Sequence, residues 1–334
     1  MVAHDEAGRG PAAAAVSEPG AAHPRLAALV ARAREQAAAH GAPALGIVYP
    51  CDAPALQAAA AIAAAGIARP VLIGPKAAIA AAAAAAGFDA GSFDVVASGD
   101  APSEAARQAV ALARDGRLGA LMKGSLHTDE LMSAVVDRHV GLRGLRRISH
   151  VFLFDLPRYH KLLALADCVV NISPNLATKC DIVGNAVDLL KRLGIAQPKV
   201  GIVAAVETVN PAIPATLDAQ ALVDKACRGA WPGAIVEGPF GFDNAFSAEA
   251  ARTKKIESRV AGDADLLVLP ELNAANMLYK SFNYVGGGDC AGLVLGARVP
   301  IVLTSRADSL TARVASVALA VLWAAGAPPV AEAA

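Results

Sequence analysis

The sequence of 334 residues lacks several features that would assign it to a particular class of protein. Aromatic residues make up only 4% of it, so small aliphatic residues must form most of any core. Lysine and arginine number 30, as do aspartate and glutamate, and the formal net charge of +0 argues against broad electrostatic binding to nucleic acid or to an anionic membrane. No uninterrupted apolar run reaches the roughly 18 residues that a membrane-spanning helix needs.

Cysteines are also few and show no pairing pattern. The chain has five, widely spaced and without a CxxC pair, which argues against a disulfide framework or a structural zinc site: Cys51, Cys168, Cys180, Cys227 and Cys290. Residues 1–22 mix charges with alanine, glycine and proline and contain no apolar signal-peptide core. We therefore expect a disordered leader over 1–22, a cytoplasmic location, reduced thiols and no bound metal.

The composition that remains is typical of a folded chain, with 55% hydrophobic and 18% charged residues. From residue 24 onward, stretches with helical spacing alternate with short apolar runs. The clearest helical stretches cover 26–40, 53–65 and 76–86. Alternating helices and strands with short connections predict an α/β fold in which mostly parallel strands are covered by helices.

A change in this alternation suggests two α/β domains. The segment 141–149 carries glycine and arginine without a clean period, and we interpret it as the crossing between the domains. Domain I is predicted to be discontinuous, with residues 23–148 joined by the last strand and helix over 300–334. Domain II then covers 149–299, and both lengths suit single domains.

The most informative local pattern is PIVLTSRADSLTARVASVALAVLW, where an apolar run leads through a polar turn into a helix. Ligands of parallel α/β sheets bind beyond the carboxyl ends of strands, and helix N-termini attract anions. In this turn Ser305 offers a hydroxyl, Arg306 a planar fork for phosphate oxygens and Asp308 a carboxylate. The alternative is that Ser305 or Ser309 caps the helix and Asp308 complements its dipole.

A second strand-to-helix turn lies in ALMKGSLHTDEL. Lys123 adds a positive charge there, and Gly124 allows close approach of the backbone. The pattern is not a P-loop, because the lysine precedes the glycine. Thr128 is a candidate substrate contact, although we favour its alternative role as a helix cap with Glu130.

Two further polar loops follow apolar strands. Glu207 and Asn210 lie in ETVNPAIPATLDA, and Asp243 and Asn244 lie in EGPFGFDNAFS. Because strand ends of α/β sheets gather ligand-binding groups, all four are candidate ligand contacts. The alternative, which we favour for Asp243 and Asn244, is local capping of the backbone by the short polar side chains.

Other polar residues give weaker indications. The histidines show no HExxH spacing, and no GxSxG nucleophile elbow is present. The basic run of Arg143, Arg146 and Arg147 is most simply a solvated face, and it could alternatively attract the phosphates of a large anionic cofactor.

Five motifs that occur in order together resemble the phosphate acetyltransferase and phosphate butyryltransferase family: LMKGSLHT, AVETVNPAIPATLDA, EGPFGFDNAFS, AGDADLLVLPELNAANMLYKSF and VPIVLTSRADS. The resemblance covers the chain from residue 44 to its end, and AVETVNP and SRADS look closer to the butyryltransferase branch. It implies reversible transfer of an acetyl or butyryl group between coenzyme A and inorganic phosphate. It also implies two α/β domains similar to those of isocitrate and isopropylmalate dehydrogenases, an active site in the interdomain cleft, and a homodimer.

The resemblance also implies particular site residues. Ser305 and Arg306 match the Ser-Arg pair of the family's active site. Two positions depart from the pattern, because Ala312 stands where some relatives have aspartate and Met132 where they have arginine. Coenzyme A and phosphate would be substrates, with no tightly bound cofactor and no covalent nucleophile. Asp308 is the nearest carboxylate for the thiol proton.

Two alternatives to this function stay open at this point. One is an NAD- and metal-dependent decarboxylating dehydrogenase of similar two-domain fold, although no convincing metal-carboxylate cluster is visible in the sequence. The other is a non-catalytic protein that binds coenzyme A.

Overall fold

The computed structural model describes residues 23–305 and 308–325. The helices in these ranges are α1 (Pro24–His40), α2 (Ala53–Ala65), α3 (Lys76–Ala86), α4 (Pro102–Arg114), α5 (Thr128–Val135), α6 (Leu176–Arg192), α7 (Pro214–Cys227), α8 (Phe242–Phe246), α9 (Ala248–Thr253), α10 (Leu272–Tyr284) and α11 (Leu310–Ala325). The strands are β1 (Ala44–Val48), β2 (Arg69–Gly74), β3 (Asp94–Ala97), β4 (Ala120–Lys123), β5 (Ser149–Asp155), β6 (Leu163–Ala166), β7 (Lys199–Val203), β8 (Ile235–Phe240), β9 (Leu266–Val268), β10 (Asp289–Leu295) and β11 (Ile301–Val302). The predicted leader over 1–22 lies outside the described residues.

These strands form one hydrogen-bonded sheet in the order β3-β2-β1-β4-β11-β10-β5-β6-β9-β7-β8. Most neighbours are parallel, so the predicted α/β fold with a mostly parallel sheet is confirmed. The pairs β11–β10, β10–β5 and β5–β6 are antiparallel. As a result, β1 to β4 and β11 run in one direction, while β6 to β9 run in the other. The carboxyl ends of β7 and β8 therefore lie at the opposite edge of the sheet from those of β4 and β11.

The last strand connects the two ends of the chain. Strand β11 lies between β4 and β10, with Ile301 paired to Leu121 and Val302 paired to Met122. Because β11 is parallel to β4, both strands end at the same edge. The residues that follow β11 therefore emerge next to those that follow β4.

Helix boundaries follow from capping residues that the sequence makes visible. Helix α2 begins after Asp52, whose carboxylate accepts the Ala55 N–H at 2.9 Å, and ends at Gly66 with φ 68°. The alanine-rich α3 ends at Gly87, with φ 61°. Only glycine adopts this left-handed conformation readily, which explains why the predicted helices over 53–65 and 76–86 have the observed bounds.

The core is aliphatic, as the scarcity of aromatic residues predicts. Helix α11 is its most deeply placed helix segment, since residues 315–322 are all buried. It packs against α1, α2 and β10, and so joins the start of the described chain to its end. No helix in the described part of the chain is long and apolar enough to cross a bilayer.

Candidate active site

An open cavity of about 400 Å³ lies where β4 and β11 end. Its lining comes from both predicted domains. The first contributes residues around β4, α5 and β11, and the second contributes residues of β5, α10 and the segment after β6: Lys123, Leu126, His127, Thr128, Leu303, Thr304, Ser305 and Asp308, and Phe152, Val169, Asn276, Tyr279 and Lys280. The cavity thus brings together four residues predicted for the site, namely Lys123, Thr128, Ser305 and Asp308.

Hydrogen bonds fix the polar turn between β11 and α11. The Ser305 N–H donates to Oδ2 of Asp308 at 2.6 Å. Arg313, which is only 6% exposed, donates from Nη2 to the Ser305 carbonyl at 2.9 Å and from Nε to the Asp308 carbonyl at 3.4 Å. The predicted Arg306 lies between these residues and outside the described part of the chain. The buried guanidinium of Arg313 therefore stabilises the turn through two backbone carbonyls, and the sequence analysis did not identify this residue.

Of the two serines considered as caps of α11, Ser309 makes the capping hydrogen bond. Its Oγ accepts the Ala312 N–H at 2.9 Å, and its hydroxyl donates to Oδ2 of Asp289 at 2.7 Å. Ser309 thus caps the first turn of α11.

Lys123 is the last residue of β4 and is 8% exposed. Its Nζ donates to the carbonyls of Gly124 at 3.4 Å and Leu126 at 3.3 Å, which directs the ammonium toward the turn after β4. Because this charge is largely removed from water, its effect on nearby anions is stronger than that of a surface lysine.

Burial raises the pKa of the Asp308 carboxyl, and the neighbouring Asp289 raises it further. The Ser305 N–H and the charges of Arg313 and Lys123 oppose this shift without reversing it. A carboxyl group whose pKa is raised holds a proton closer to neutral pH, which suits it to proton transfer.

Gly124 lets the chain after β4 approach β1. A Cβ atom at this position would lie 2.5 Å from the Val48 carbonyl oxygen and 2.7 Å from that of Tyr49. The Gly124 N–H donates to the Val48 carbonyl at 2.9 Å, and the Ser125 hydroxyl donates to the Tyr49 carbonyl at 2.7 Å. The close approach made by Gly124 is thus to a neighbouring strand.

Thr128 is the first residue of α5, and its exposed side chain lines the cavity. The N-cap is His127, whose backbone N–H donates to the Glu130 carboxylate at 2.8 Å. The favoured interpretation of Thr128 as the helix cap is therefore wrong.

The opposite wall is aromatic and was not predicted. The rings of Phe152 on β5 and Tyr279 on α10 stack with centroids 4.3 Å apart and an interplanar angle of 11°. Burial raises the pKa of the Tyr279 hydroxyl, so it stays neutral. Behind Phe152 lies His150, with ring centroids 4.3 Å apart. The motif NMLYKSF contained Tyr279, but nothing in the sequence placed that ring against β5.

The predicted residues Glu207, Asp243 and Asn244 form a separate cluster at the opposite edge of the sheet. The Asn244 amide donates to Oε1 of Glu207 at 2.6 Å, and Lys254 pairs with Glu207 and with Oδ2 of Asp243, the latter at 2.9 Å. Hydrogen bonds from Lys254 lower the pKa of both carboxyl groups, which stay ionised. None of these side chains lines the cavity described above.

The fourth predicted residue of these loops, Asn210, organises its own turn. Its Oδ1 accepts the Ala212 N–H at 2.9 Å, and the Thr216 hydroxyl donates to its carbonyl at 3.0 Å. Gly241 occupies the N-cap of α8 without a side-chain hydrogen bond, so neither Asp243 nor Asn244 caps that helix.

Potential metal ligands are dispersed in the structure. Over residues 23–305 and 308–325, no three histidine, cysteine, aspartate or glutamate side chains are grouped so as to hold a metal ion. All five cysteines are unpaired.

Comparison with known proteins places this chain among acyltransferases. The family described as "Phosphate acetyl/butaryl transferase" matches residues 100–321. A phosphate acetyltransferase of Rhizobium meliloti is 50% identical over 300 residues, which cover 89% of this chain and 92% of that protein. A phosphate butyryltransferase of Clostridium acetobutylicum is 38% identical over 271 residues, covering 81% and 90%.

Comparison with solved structures also finds a phosphotransacylase. The crystal structure of a branched-chain phosphotransacylase from Enterococcus faecalis V583 superimposes with a TM-score of 0.75 and 28% identity, covering 84% of this chain and 99% of that one. The higher identity to an acetyltransferase than to a butyryltransferase gives no support to the predicted butyryltransferase branch, which stays a prediction. The chain belongs to the phosphate acetyl/butyryl transferase family.

Proposed function

We propose that this protein reversibly transfers a short acyl group between coenzyme A and inorganic phosphate. The observation that carries the proposal is the cavity in which the buried cation Lys123 and the turn of Ser305 and Asp308 face an apolar aromatic wall. The reaction needs positive charge and hydrogen-bond donors for the phosphate and the tetrahedral oxyanion. It also needs an apolar surface for the acyl chain, and this cavity offers both. The family match favours this function over the dehydrogenase alternative.

The proposed binding mode assigns each substrate group to one wall. Phosphate binds between the Lys123 ammonium, the Ser305 hydroxyl and, by the family resemblance, the Arg306 guanidinium. Thr128 contacts the substrates from the N-terminal end of α5. The acyl chain lies against Phe152 and the thioester carbonyl faces the turn before α11, whose N-terminal dipole favours negative charge.

Chemistry in this arrangement needs no covalent intermediate on the protein. A phosphate oxygen attacks the thioester carbon, a C–O bond forms, and the C–S bond breaks to release a thiolate. Asp308 in its neutral form gives the thiolate a proton and regains one from solvent; in the reverse direction its carboxylate takes the thiol proton. Holding both substrates together lowers the activation free energy by up to about 7 to 11 kcal/mol. Each hydrogen-bond donor to the oxyanion lowers it further, by about 3 to 4 kcal/mol.

We further propose that the site lies in a cleft between two domains, 23–148 with 300–334 and 149–299, as in isocitrate and isopropylmalate dehydrogenases. The mixed origin of the cavity lining supports this division. Coenzyme A and phosphate act as substrates, and no tightly bound cofactor is part of the proposal.

The test is phosphate-dependent release of coenzyme A from acetyl-CoA and butyryl-CoA. We expect Ser305→Ala and Asp308→Asn to lower kcat about 100-fold, and Arg306→Ala to raise the KM for phosphate strongly. Ser281→Ala is the matched control, because the Ser281 hydroxyl donates to the Met277 carbonyl within α10 and the residue does not line the active-site cavity. Wild-type rates in the site variants, or tight coenzyme A binding by a wild-type protein without phosphate-dependent turnover, would overturn the proposal.

The apolar wall provides the test of acyl preference. Phe152→Ala removes one ring of the stacked pair and enlarges the cavity beside Tyr279. We expect kcat/KM to shift toward longer chains in a series from acetyl-CoA to hexanoyl-CoA, since each buried methylene is worth about 0.8 kcal/mol. An unchanged chain-length profile would remove Phe152 from the acyl site.

We also propose a homodimer that uses exposed apolar side chains of α10 and of the residue that follows it. Met277 is 64% exposed, Tyr284 75% and Val285 86%. Residues seven apart lie on one helix face, so Met277 and Tyr284 form a patch that association would cover. Light scattering on a sizing column should give a dimer for the wild type and a monomer for Met277→Lys/Tyr284→Lys; a wild-type monomer would refute it.

A further inference from the structure

A second cavity, of about 610 Å³, lies at the far end of α5. Four arginines line it, and its lining contains no acidic residue: Arg138, Arg143, Arg146 and Arg147. We call it the arginine cavity. In a chain with a formal net charge of +0, this is a marked local concentration of positive charge, and it faces solvent.

Two of the four side chains are held in place by the protein. Arg143 donates from Nε to the Val136 carbonyl at 2.5 Å, which leaves the outer edge of its guanidinium available. Arg146 pairs with Asp188 and lies over Gly184, where a Cβ atom would come within 2.9 Å of its Cζ. Such anchoring reduces the entropy that a ligand must remove on binding.

The other two guanidinium groups are not anchored in this way. Within the described part of the chain, the side chains of Arg138 and Arg147 make no hydrogen bond or ion pair, whereas Arg146 pairs with Asp188 and Arg143 interacts electrostatically with Asp137. The Arg147 backbone is nevertheless fixed, because its N–H donates to Asp181 at 3.2 Å and its carbonyl accepts from Asn185 at 2.9 Å. The arginine cavity therefore presents planar donors for more than one anionic group.

The arginine cavity adjoins the candidate active site. Val169 lines the active-site cavity and Val170 lines the arginine cavity. Helix α5 has Thr128 at one cavity and Val136, just beyond its last residue, at the other. Eight helical residues span only about 12 Å, so a single elongated ligand reaches both cavities.

We propose that the arginine cavity binds the phosphate groups of the coenzyme A nucleotide while the thioester end lies against Lys123 and Ser305. The inference rests on the proposed function, which supplies the ligand. Coenzyme A carries a 3′-phosphate and a diphosphate at one end and a neutral pantetheine arm ending in the thiol at the other. Guanidinium forks bind phosphate oxygens in pairs, so the four arginines match the anionic end and the aromatic wall matches the apolar end.

The experiment compares acetyl-CoA with S-acetylpantetheine, which lacks the nucleotide. In the Arg138→Gln/Arg147→Gln variant we expect the KM for acetyl-CoA to rise about tenfold with kcat nearly unchanged, and the KM for S-acetylpantetheine to stay at the wild-type value. Arg228→Gln, at an exposed arginine after α7, is the matched control and should change neither constant.

The same double variant should weaken inhibition by 3′,5′-adenosine bisphosphate, and in the wild type this inhibitor should compete with acetyl-CoA. Equal KM changes for both thioesters, or no change for either, would overturn the assignment. Noncompetitive inhibition would also overturn it, since it would indicate a separate anion site. If the wild type turns over neither thioester, the proposed function fails instead. Calorimetric binding of the bisphosphate to wild type and variant then still decides the arginine cavity.

Discussion

A histidine buried behind the active-site wall should make the free energy of unfolding depend on pH. His150 on β5 is fully buried, and within the described residues neither ring nitrogen has a hydrogen-bond partner. Its ring lies between Phe152 and Gly292, where a Cβ atom would approach its Cε1 to 3.1 Å. Burial therefore lowers the pKa of His150 from its ordinary value of 6.5 to about 3.

The sign of the effect follows from the number of protons bound in each state. Between pH about 6.5 and about 3 the unfolded chain protonates His150 and the folded protein does not, so stability rises with pH in this window. At pH 5 the protonation of His150 in the unfolded chain lowers the free energy of unfolding by about 2 kcal/mol, and at pH 8 this effect is close to zero. His150→Leu, which places an apolar side chain of similar size in the site, should remove this term.

Urea denaturation at pH 5 and pH 8 measures the prediction. We expect the free energy of unfolding of His150→Leu to exceed that of the wild type by about 2 kcal/mol more at pH 5 than at pH 8. His139→Leu, at an exposed histidine, is the matched control and should keep the wild-type pH dependence. If His150→Leu shows the same pH dependence as the wild type, the buried ring does not stay neutral and the reasoning is refuted.

Three further predictions concern local contacts. Gly124→Ala should lower the urea-unfolding free energy by about 1 to 3 kcal/mol, because its Cβ would lie 2.5 and 2.7 Å from backbone carbonyl oxygens; an unchanged midpoint would contradict this. Arg313→Lys should lower kcat at least about tenfold with little loss of stability, because lysine lacks the separate Nε and Nη2 donors that bond the two carbonyls of the turn before α11; unchanged turnover would show that Arg313 does not support the site. Burial alone raises the pKa of Asp263, but hydrogen bonds from two lysines and a histidine lower it well below its ordinary value, so its stabilisation is present above pH about 4 and is lost on acidification. After allowance for solvent screening, Asp263→Asn should cost about 1 kcal/mol at pH 7 and nothing near pH 1, as thermal or urea melts would show.

Local elements and strand ends could be predicted because each depends on a few neighbouring residues. Capping at Asp52, Gly66 and Gly87 fixes helix bounds whatever the rest of the chain does. The rule that ligands bind at strand ends selected Lys123 and Ser305, and the structure places both on one cavity.

The features that the sequence did not predict depend on strand direction and on long-range packing. A short apolar run has the same appearance in a parallel or an antiparallel strand, so the reversal at β10 and β5 could not be read from alternation alone. That reversal sends Glu207 and Asp243 to the other edge, although they too follow strands. The lone charge of Arg313 in an apolar helix was visible in the sequence, but its contacts require the folded turn.

Burial assigns different tasks to the two groups of cations in the proposed substrate path. Lys123 is 8% exposed, so neither water nor salt screens its field well, and it can act on charge that develops in the reaction. The arginines of the arginine cavity are exposed, and at physiological ionic strength their interactions fade beyond about 8 Å. They can therefore attract and hold phosphate groups in contact with them, yet contribute little to a carbonyl about 12 Å away along α5. A substrate that separates its anionic end from its reacting end by a long neutral arm is the kind of molecule that uses both groups fully.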